Sequence, residues 1–274
     1  MSIQGWRCDM SEGAPTRRRL VIASVLALSM LSTSAIGSEV LEDIVEKTVP
    51  LAPAGTFALH GTDGTIQIYG TDSNEIKIVA IKKAFSSIRL KAIGIQVETK
   101  NDSVNINTVA PAKPRWAWSD RSGTVDYIIN VPQTARITAV DLPNGELTID
   151  GMRGAPISAS LGNGRLTTRN CFCDQKVRVE SGGMDIVFDW LEEKLVTIDA
   201  VINDGNVRAL IPVDASFEIH AVAEHGRVAS DFSEIENRKR GGVSEINETI
   251  GQAPLSKLAV RAVNGNVQIS EVIW

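Results

Sequence analysis

The chain has 274 residues, 43% hydrophobic and 22% charged, with a formal net charge of −5. Such a balance excludes a disordered chain, which would bury too little apolar surface to offset its ordering entropy, and a pI near 5.4 disfavours a polyanionic partner such as nucleic acid. Only 5% of residues are aromatic against 22 glycines, and no Gly-X-Y period accompanies the ten prolines, so collagen is excluded and many short strands and turns are expected.

The first segment reads as an export address. Arg17, Arg18 and Arg19 precede an apolar run, Leu20 to Leu31, and small residues end at Ala35-Ile36-Gly37. Twelve residues rise about 18 Å as a helix, short of a ~30 Å hydrocarbon core. The expectation is a secretory signal peptide over 1–37, cleaved after Gly37, with an uncleaved signal anchor as the alternative. Thr16 to Val21 fits either a plain arginine-rich start or a twin-arginine signal. Cleavage would leave 24 basic and 31 acidic side chains, a net charge of −7, and no long apolar stretch. Cys8 would leave with the signal. Cys171 and Cys173 alone are no disulfide framework for 237 residues, so packing has to hold the fold.

The next segment, 38–132, is irregular and is expected to supply capping coils. Thr48 to Ile68 predicts strands around a Pro50/Pro53/Gly55 turn, and Glu75 to Ile81 a strand of good alternation. Ala84 to Ile93 fits one short helix with Phe85, Ile88 and Ala92 on a face. Ile95–Thr99 and Val104–Thr108 predict a strand pair around Asn101-Asp102, residues 110–124 a loop, and Val125–Val131 a strand ended by Pro132.

From 133 to 274 a unit of about twenty residues recurs. Asn144-Gly145-Glu146-Leu147-Thr148-Ile149 is its clearest copy. Glycines at Gly145, Gly164, Gly183, Gly205, Gly226 and Gly265 lead alternating strands, and Gly64 leads an earlier copy. Asn-Gly and Asp-Gly supply positive φ at a turn. A second alternating segment lies between successive glycines, as in Ile157–Leu161 and Val196–Ala200. No helical spacer separates the strands, which rules against βαβ units. Glycine in a fixed phase favours stacked coils over hairpins, because equivalent turns must superpose. The expected fold is therefore all-β, a single-domain parallel β-solenoid of ~20-residue coils. Its thin core would leave little room for large rings. Residues 233–252 predict one loop-rich coil inside the doubled gap before Gly265.

Three passages resemble the bacterial putative-adhesin family of unknown function. They are Ala54–Leu59 leading into Asp63–Gly70, Asp126–Pro132, and the glycine-led strands from Gly145 to Gly226. The likeness spans roughly residues 45–270, within one continuous adhesin-like domain of 45–274, and implies an exported or envelope-associated β-solenoid. It implies no catalytic residues, and an adhesin label drawn from fold says little about chemistry.

Candidate chemistry is sparse. His60, His220 and His225 stand in no metal-site or triad spacing, and His225 takes a turn position. Cys171-Phe172-Cys173 in a strand would put both thiols on one face, as structural thiols or a local disulfide; two thiolates are half a zinc site. Asp141, Asp150, Asp185, Asp199 and Asp204 could form a carboxylate row, or a solvated acidic face. The G-G-x-G-x-D calcium repeat is absent. The loop Pro114-Arg115-Trp116-Ala117-Trp118-Ser119-Asp120-Arg121 offers Trp116, Trp118, Arg115 and Arg121 as a binding candidate, or as a flap over an open end. Trp274 is expected to plug the last coil.

These features predict an exported, non-enzymatic interaction module of the periplasm or cell surface, without cofactor or metal. Its partner would be an envelope protein or polysaccharide, with no nucleic acid and no stable transmembrane segment after cleavage. The alternatives are a carbohydrate-active enzyme using the carboxylate row, and a periplasmic accessory of an envelope stress-response system that adds a partner strand at an open end.

Overall fold

The structure is a computed structural model. It describes residues 39–113, 116, 120, 122–192, 194–232, 238–240, 242–251 and 256–272. The expected signal segment, 1–37, and Trp118, Arg115, Arg121 and Trp274 lie outside the described residues. In the N-terminal half the elements are β1 (Leu41–Pro50), β2 (Thr56–His60), β3 (Asp63–Thr71), β4 (Glu75–Ala84), α1 (Ser87–Ala92), β5 (Gly94–Lys100), β6 (Ser103–Val109) and β7 (Thr124–Pro132). Then come β8 (Arg136–Asp150), β9 (Ile157–Arg169), β10 (Gln175–Val187), β11 (Thr197–Pro212), β12 (Phe217–His225) and β13 (Val228–Ser230). The last are β14 (Arg238–Arg240), β15 (Val243–Ile250), β16 (Ser256–Asn264) and β17 (Val267–Val272). The described chain is all-β, its strands joined in one large sheet.

Strands β8 to β11 each bend at a glycine, and the bend reverses which side chains point inward. In β9, Ile157, Ala159 and Leu161 are buried before the corner, and Leu166 and Thr168 after it. Odd positions give way to even ones, so alternation restarts in a new phase. The sheet thereby splits into two ladders that share one apolar core. The first ladder runs β5, β6, β2, β8, β9, β10, β11, β16, β12, β15, β14. The second runs β1, β4, β7, β3, β8, β9, β10, β11, β17, β13. Pairing is parallel through the centre, antiparallel at both ends of the first ladder and antiparallel at the β1 end of the second, whose other end, β17–β13, stays parallel.

Two units sit out of sequence order. β2 and β3 lie between the strands of 103–132 and β8. β16 and β17 lie between β11 and the strands of 217–230. The doubled gap before Gly265 is therefore no extra coil in sequence. It holds an antiparallel β14–β15 hairpin on the far side of β12, in place of the expected loop-rich coil.

The corner glycines are Gly64, Gly145, Gly164, Gly182, Gly205 and Gly265, with φ between +131° and +152°. A Cβ on Gly145 would be driven into the carbonyl oxygen of Gly64, and one on Gly164 into that of Gly145. Close backbone stacking, besides positive φ, thus demands glycine there. Two expected glycines need correction. Gly182, not Gly183, pairs with Gly164 and Gly205, and Gly183 lacks the positive φ. Gly226 also lacks it, yet stacks so tightly on Gly265 that a side chain would meet its carbonyl.

The core admits more rings than its predicted thinness allows. Strands β8 to β11 carry no aromatic residue. Phe57, Tyr127 and Phe217 are buried in strands nearer the ends, and Phe172 and Phe188 in the return turns. Phe172, Phe188 and Phe217 form a column with centroids 5.7 and 5.8 Å apart. Rings are thus absent from the central strands β8 to β11 and present in the return turns and in strands towards the ends. The helix forms as α1, capped by the Ser86 hydroxyl. Its apolar face is not core, because Phe85 and Ile88 are exposed.

Candidate functional site

A broad concavity runs along the glycine edge. It is an open groove of about 810 Å³ lined from β8 across β9, β10 and β11 to β17. Two outward rows form its floor. The residue after each corner glycine gives Glu146, Arg165, Gly183 and Asn206 in register. Two positions further on, Asp185 lies directly beside Arg208, and Arg208 beside Gln268.

Asp185 is the centre of this floor. Its side chain is only 10% exposed, and the Arg165 and Arg208 side chains are about half exposed. Arg165 Nη1 donates to Oδ2 at 2.6 Å, and Arg208 Nε donates to Oδ1 at 3.0 Å. Arg208 reaches Asp185 as a direct cross-strand neighbour and Arg165 as a diagonal one. The diagonal passes over Gly183, where a Cβ would stand at ordinary contact distance, 3.9 Å, from the Arg165 guanidinium. One buried carboxylate thus orients two guanidiniums from the strands on either side. Among the described residues, no other partner meets the remaining N–H groups of Arg208.

Amide ladders fix the rim. Asn144 Nδ2 donates to Asp63 at 2.7 Å, Asn163 Nδ2 to Asn144 at 3.0 Å, and Asn264 Nδ2 to Asp204 at 2.7 Å. Asn266 Nδ2 donates to Asn206 at 3.1 Å, and the Arg227 amide to Asn266 at 3.0 Å. At the rim's end, burial would raise the Asp63 carboxyl. Hydrogen bonds from Lys113 and Asn144, with the Lys113 charge, outweigh it and hold the carboxyl below its usual range.

No family model matches the chain. A curated relative, the urease accessory protein UreD of Synechococcus sp. (strain CC9605), is 26% identical over 127 residues, 46% of this chain. That match spans 40% of the UreD protein, well under half its length. Among solved structures, a putative cell adhesion protein of Clostridium sporogenes ATCC 15579 is similar at 16% identity and a TM-score of 0.49. It covers 84% of this chain and all of that one. A putative adhesin of Bacteroides fragilis NCTC 9343 is similar at 10% identity and a TM-score of 0.31, over 83% of this chain and 97% of that one.

The tryptophan loop is only partly described. Trp116 is 66% exposed, so its ring does not close over the core. Arg89 donates to the carbonyls of Pro111 and Ala112, and Asp120 accepts from Ser86 and Ser122, tying the loop to α1. These last bonds, Ser122 foremost, hold the Asp120 carboxyl below its ordinary value. Lys113 pairs with Asp63, so the loop reaches the glycine edge one coil beyond the groove.

The five acids do not make a row. Asp141 and Asp199 lie on the first ladder, Asp204 at the corner, and Asp185 and Asp150 on the second. Each sits in a different register position. Asp141 accepts from His60 at 2.8 Å and also from Ser160, while Asp199 faces Arg178. His220 contacts Asn247, and His225 ends β12, where its carbonyl accepts the Gly265 amide across the sheet. Among the described residues no group of three or more His, Cys, Asp or Glu could hold a metal ion.

Cys171 and Cys173 are both free and buried, so the local disulfide is not formed. The expected strand alternation also fails. Cys171, Phe172 and Cys173 are all buried, because the segment is a return turn with a single bridge to Arg153. Burial pushes the Cys171 thiol up to about 12 and raises that of Cys173 as well.

Sequence reasoning missed the groove for a physical reason. Counting from Gly183 sets the repeat one place out of phase in β10, so Asp185, read with the other acids as one of a row, is not aligned with Arg208, whereas counting from the true corner, Gly182, aligns them. The signal was present: every other corner glycine has its inward residue two places on, as in Gly145–Leu147 and Gly164–Leu166, and only Gly182 to Met184 obeys that spacing.

Proposed function

We propose that this chain is an exported, non-enzymatic β-solenoid that serves as an interaction module of the cell envelope or surface. In this reading the glycine-edge groove contacts an envelope glycan. One observation carries it: a five-strand groove whose polar side chains are fixed by cross-strand bonds. Fixed forks and amides lower the ordering cost of binding. In-register parallel strands support the stacked-coil reading, and the arginine-led apolar segment before residue 38 supports export. No described helix is long and apolar enough to cross a membrane. The dispersed acids favour a binding role over the carboxylate-row enzyme.

The test is binding of the labelled purified protein to isolated envelope polysaccharide. Saturable binding weakened by Arg165→Gln/Arg208→Gln supports the reading, and binding indifferent to every groove substitution overturns it. The strand-addition reading has its own observation. Among the described residues β1 pairs only with β4, and its ten residues are almost all exposed. A proline at Val45 that lowers partner binding without changing glycan binding would support that second reading.

A further inference from the structure

The groove specifies more than a sugar surface. Its lining spans five neighbouring strands, and at about 4.8 Å per strand spacing that is roughly 19 Å. Such a length suits an extended chain lying across the strands rather than a single small molecule. The strand backbones beneath are already paired on both sides, so no edge is open there for peptide strand addition. Recognition has to come from side chains.

Those side chains have a polarity. Arg165 and Arg208 share one carboxylate, so the trio carries one net positive charge, which Glu146 beside Arg165 balances over the lining as a whole. Asp185 is nearly buried, and both guanidiniums are about half exposed. The Asp185 oxygens take Nη1 of Arg165 and Nε of Arg208, which leaves outward-facing N–H donors on both forks. In the row Glu146, Arg165, Gly183, Asn206 only Gly183 carries no side chain, which leaves a hollow bordered by the Arg165 guanidinium. A planar anion seated in the hollow would meet two forks at once, and such charge-assisted pairs are about twice as strong as neutral hydrogen bonds. Asn206 and Gln268 supply neutral donors and acceptors beside it, suited to hydroxyl groups.

We infer that the groove takes an acidic polysaccharide lying across the strands, with one sugar carboxylate seated over Gly183 between Arg165 and Arg208. The inference rests on the glycan-binding reading and adds the charge of the ligand, its direction and the seat of its carboxylate. An acidic peptide presents the same carboxylate but lacks the ring hydroxyls that the flanking amides fit.

The experiment titrates the purified protein with polygalacturonate, dextran and poly-L-glutamate at low and moderate salt. Polygalacturonate is expected to bind, more weakly as salt rises. Gly183→Gln should fill the hollow and weaken that binding at least tenfold without shifting the melting temperature, because its Cβ meets only the Arg165 guanidinium. Arg165→Gln/Arg208→Gln should weaken it at least as much. Dextran bound as tightly as polygalacturonate, with no effect of Gly183→Gln, overturns the acidic ligand and leaves the glycan-binding module standing. Equal binding of poly-L-glutamate with the same sensitivity overturns the polysaccharide class. If none of the three binds, the inference fails. Envelope polysaccharide binding by the same sample then decides whether the module reading fails with it.

Discussion

The side-chain amide of Asn264 donates to the Asp204 carboxylate at 2.7 Å, although sixty residues separate them in the chain. The bond marks where the C-terminal strands slot between β11 and β12. Leu258, Val260, Ala262, Val267 and Ile269 of that insert are all buried. Each large aliphatic side chain contributes roughly 1.5–3 kcal/mol by burial, against a total stability of about 5–15 kcal/mol for a typical domain. Truncation after Ile250 should therefore abolish the cooperative unfolding transition. A truncated protein that melts cooperatively near the wild-type temperature in circular dichroism would contradict this placement.

The adjacent pair Gly182 and Gly183 separates a backbone requirement from an open surface position. Gly182 has a φ of +131°, and a Cβ on it would strike the Gly164 carbonyl. Gly182→Ala should cost about 2–3 kcal/mol. At Gly183, alanine meets nothing closer than the Arg165 guanidinium, and the change should stay within about 0.5 kcal/mol. Urea unfolding of the two variants tests the phase of the whole repeat, since exchanging their effects would move every outward side chain of β10 inward.

Strand and turn positions were legible because local chemistry writes them. Asn101 and Asp102 adopt φ of 43° and 52° and turn the predicted β5–β6 pair. The order of the coils was not legible, because strand partners are chosen by shape and burial across long separations. Nothing local in 256–272 says that it lies against β11 rather than after β13. The site shows the same split. Trp116 stood out by composition, whereas Asp185 acquires its meaning only from Arg165 and Arg208 in neighbouring coils.

Burial controls the two cysteines. With the Cys171 thiol pushed up to about 12, about one molecule in ten thousand carries the thiolate at pH 8. Native protein should therefore leave both thiols unmodified by iodoacetamide at pH 8, and urea-unfolded protein should react at both. Fast alkylation of the native state, read by mass spectrometry, would show that the return turn opens. Cys171→Ser should destabilise the fold by about 1–3 kcal/mol, because a hydroxyl in place of the sulfur needs stronger hydrogen bonds than the carbonyls of Ile149 and Arg169 offer at 3.4 and 3.3 Å.

Asp63 and Asp150 should give opposite pH signatures. The Asp63 carboxyl lies below its unfolded value of 3.8, so its contribution is present above that value and is lost as pH falls through the lower folded value. Asp63→Asn should lower the melting temperature at pH 7 and matter less in strong acid. Asp150 is raised by burial, with Arg169 opposing and Asp189 adding to the rise. The folded state then binds its proton more readily than the unfolded one. Its charged form costs stability at neutral pH, and protonation relieves that cost as pH falls through the raised folded value towards 3.8. Asp150→Asn should raise the melting temperature at pH 7, and the gain should shrink as the wild-type carboxyl takes up its proton. Melting curves from pH 7 down to pH 3 distinguish the two sites, because their differences from wild type have opposite signs at pH 7. If both substitutions shift the melt in the same direction there, the cross-strand environment assigned to one of these carboxyls is wrong.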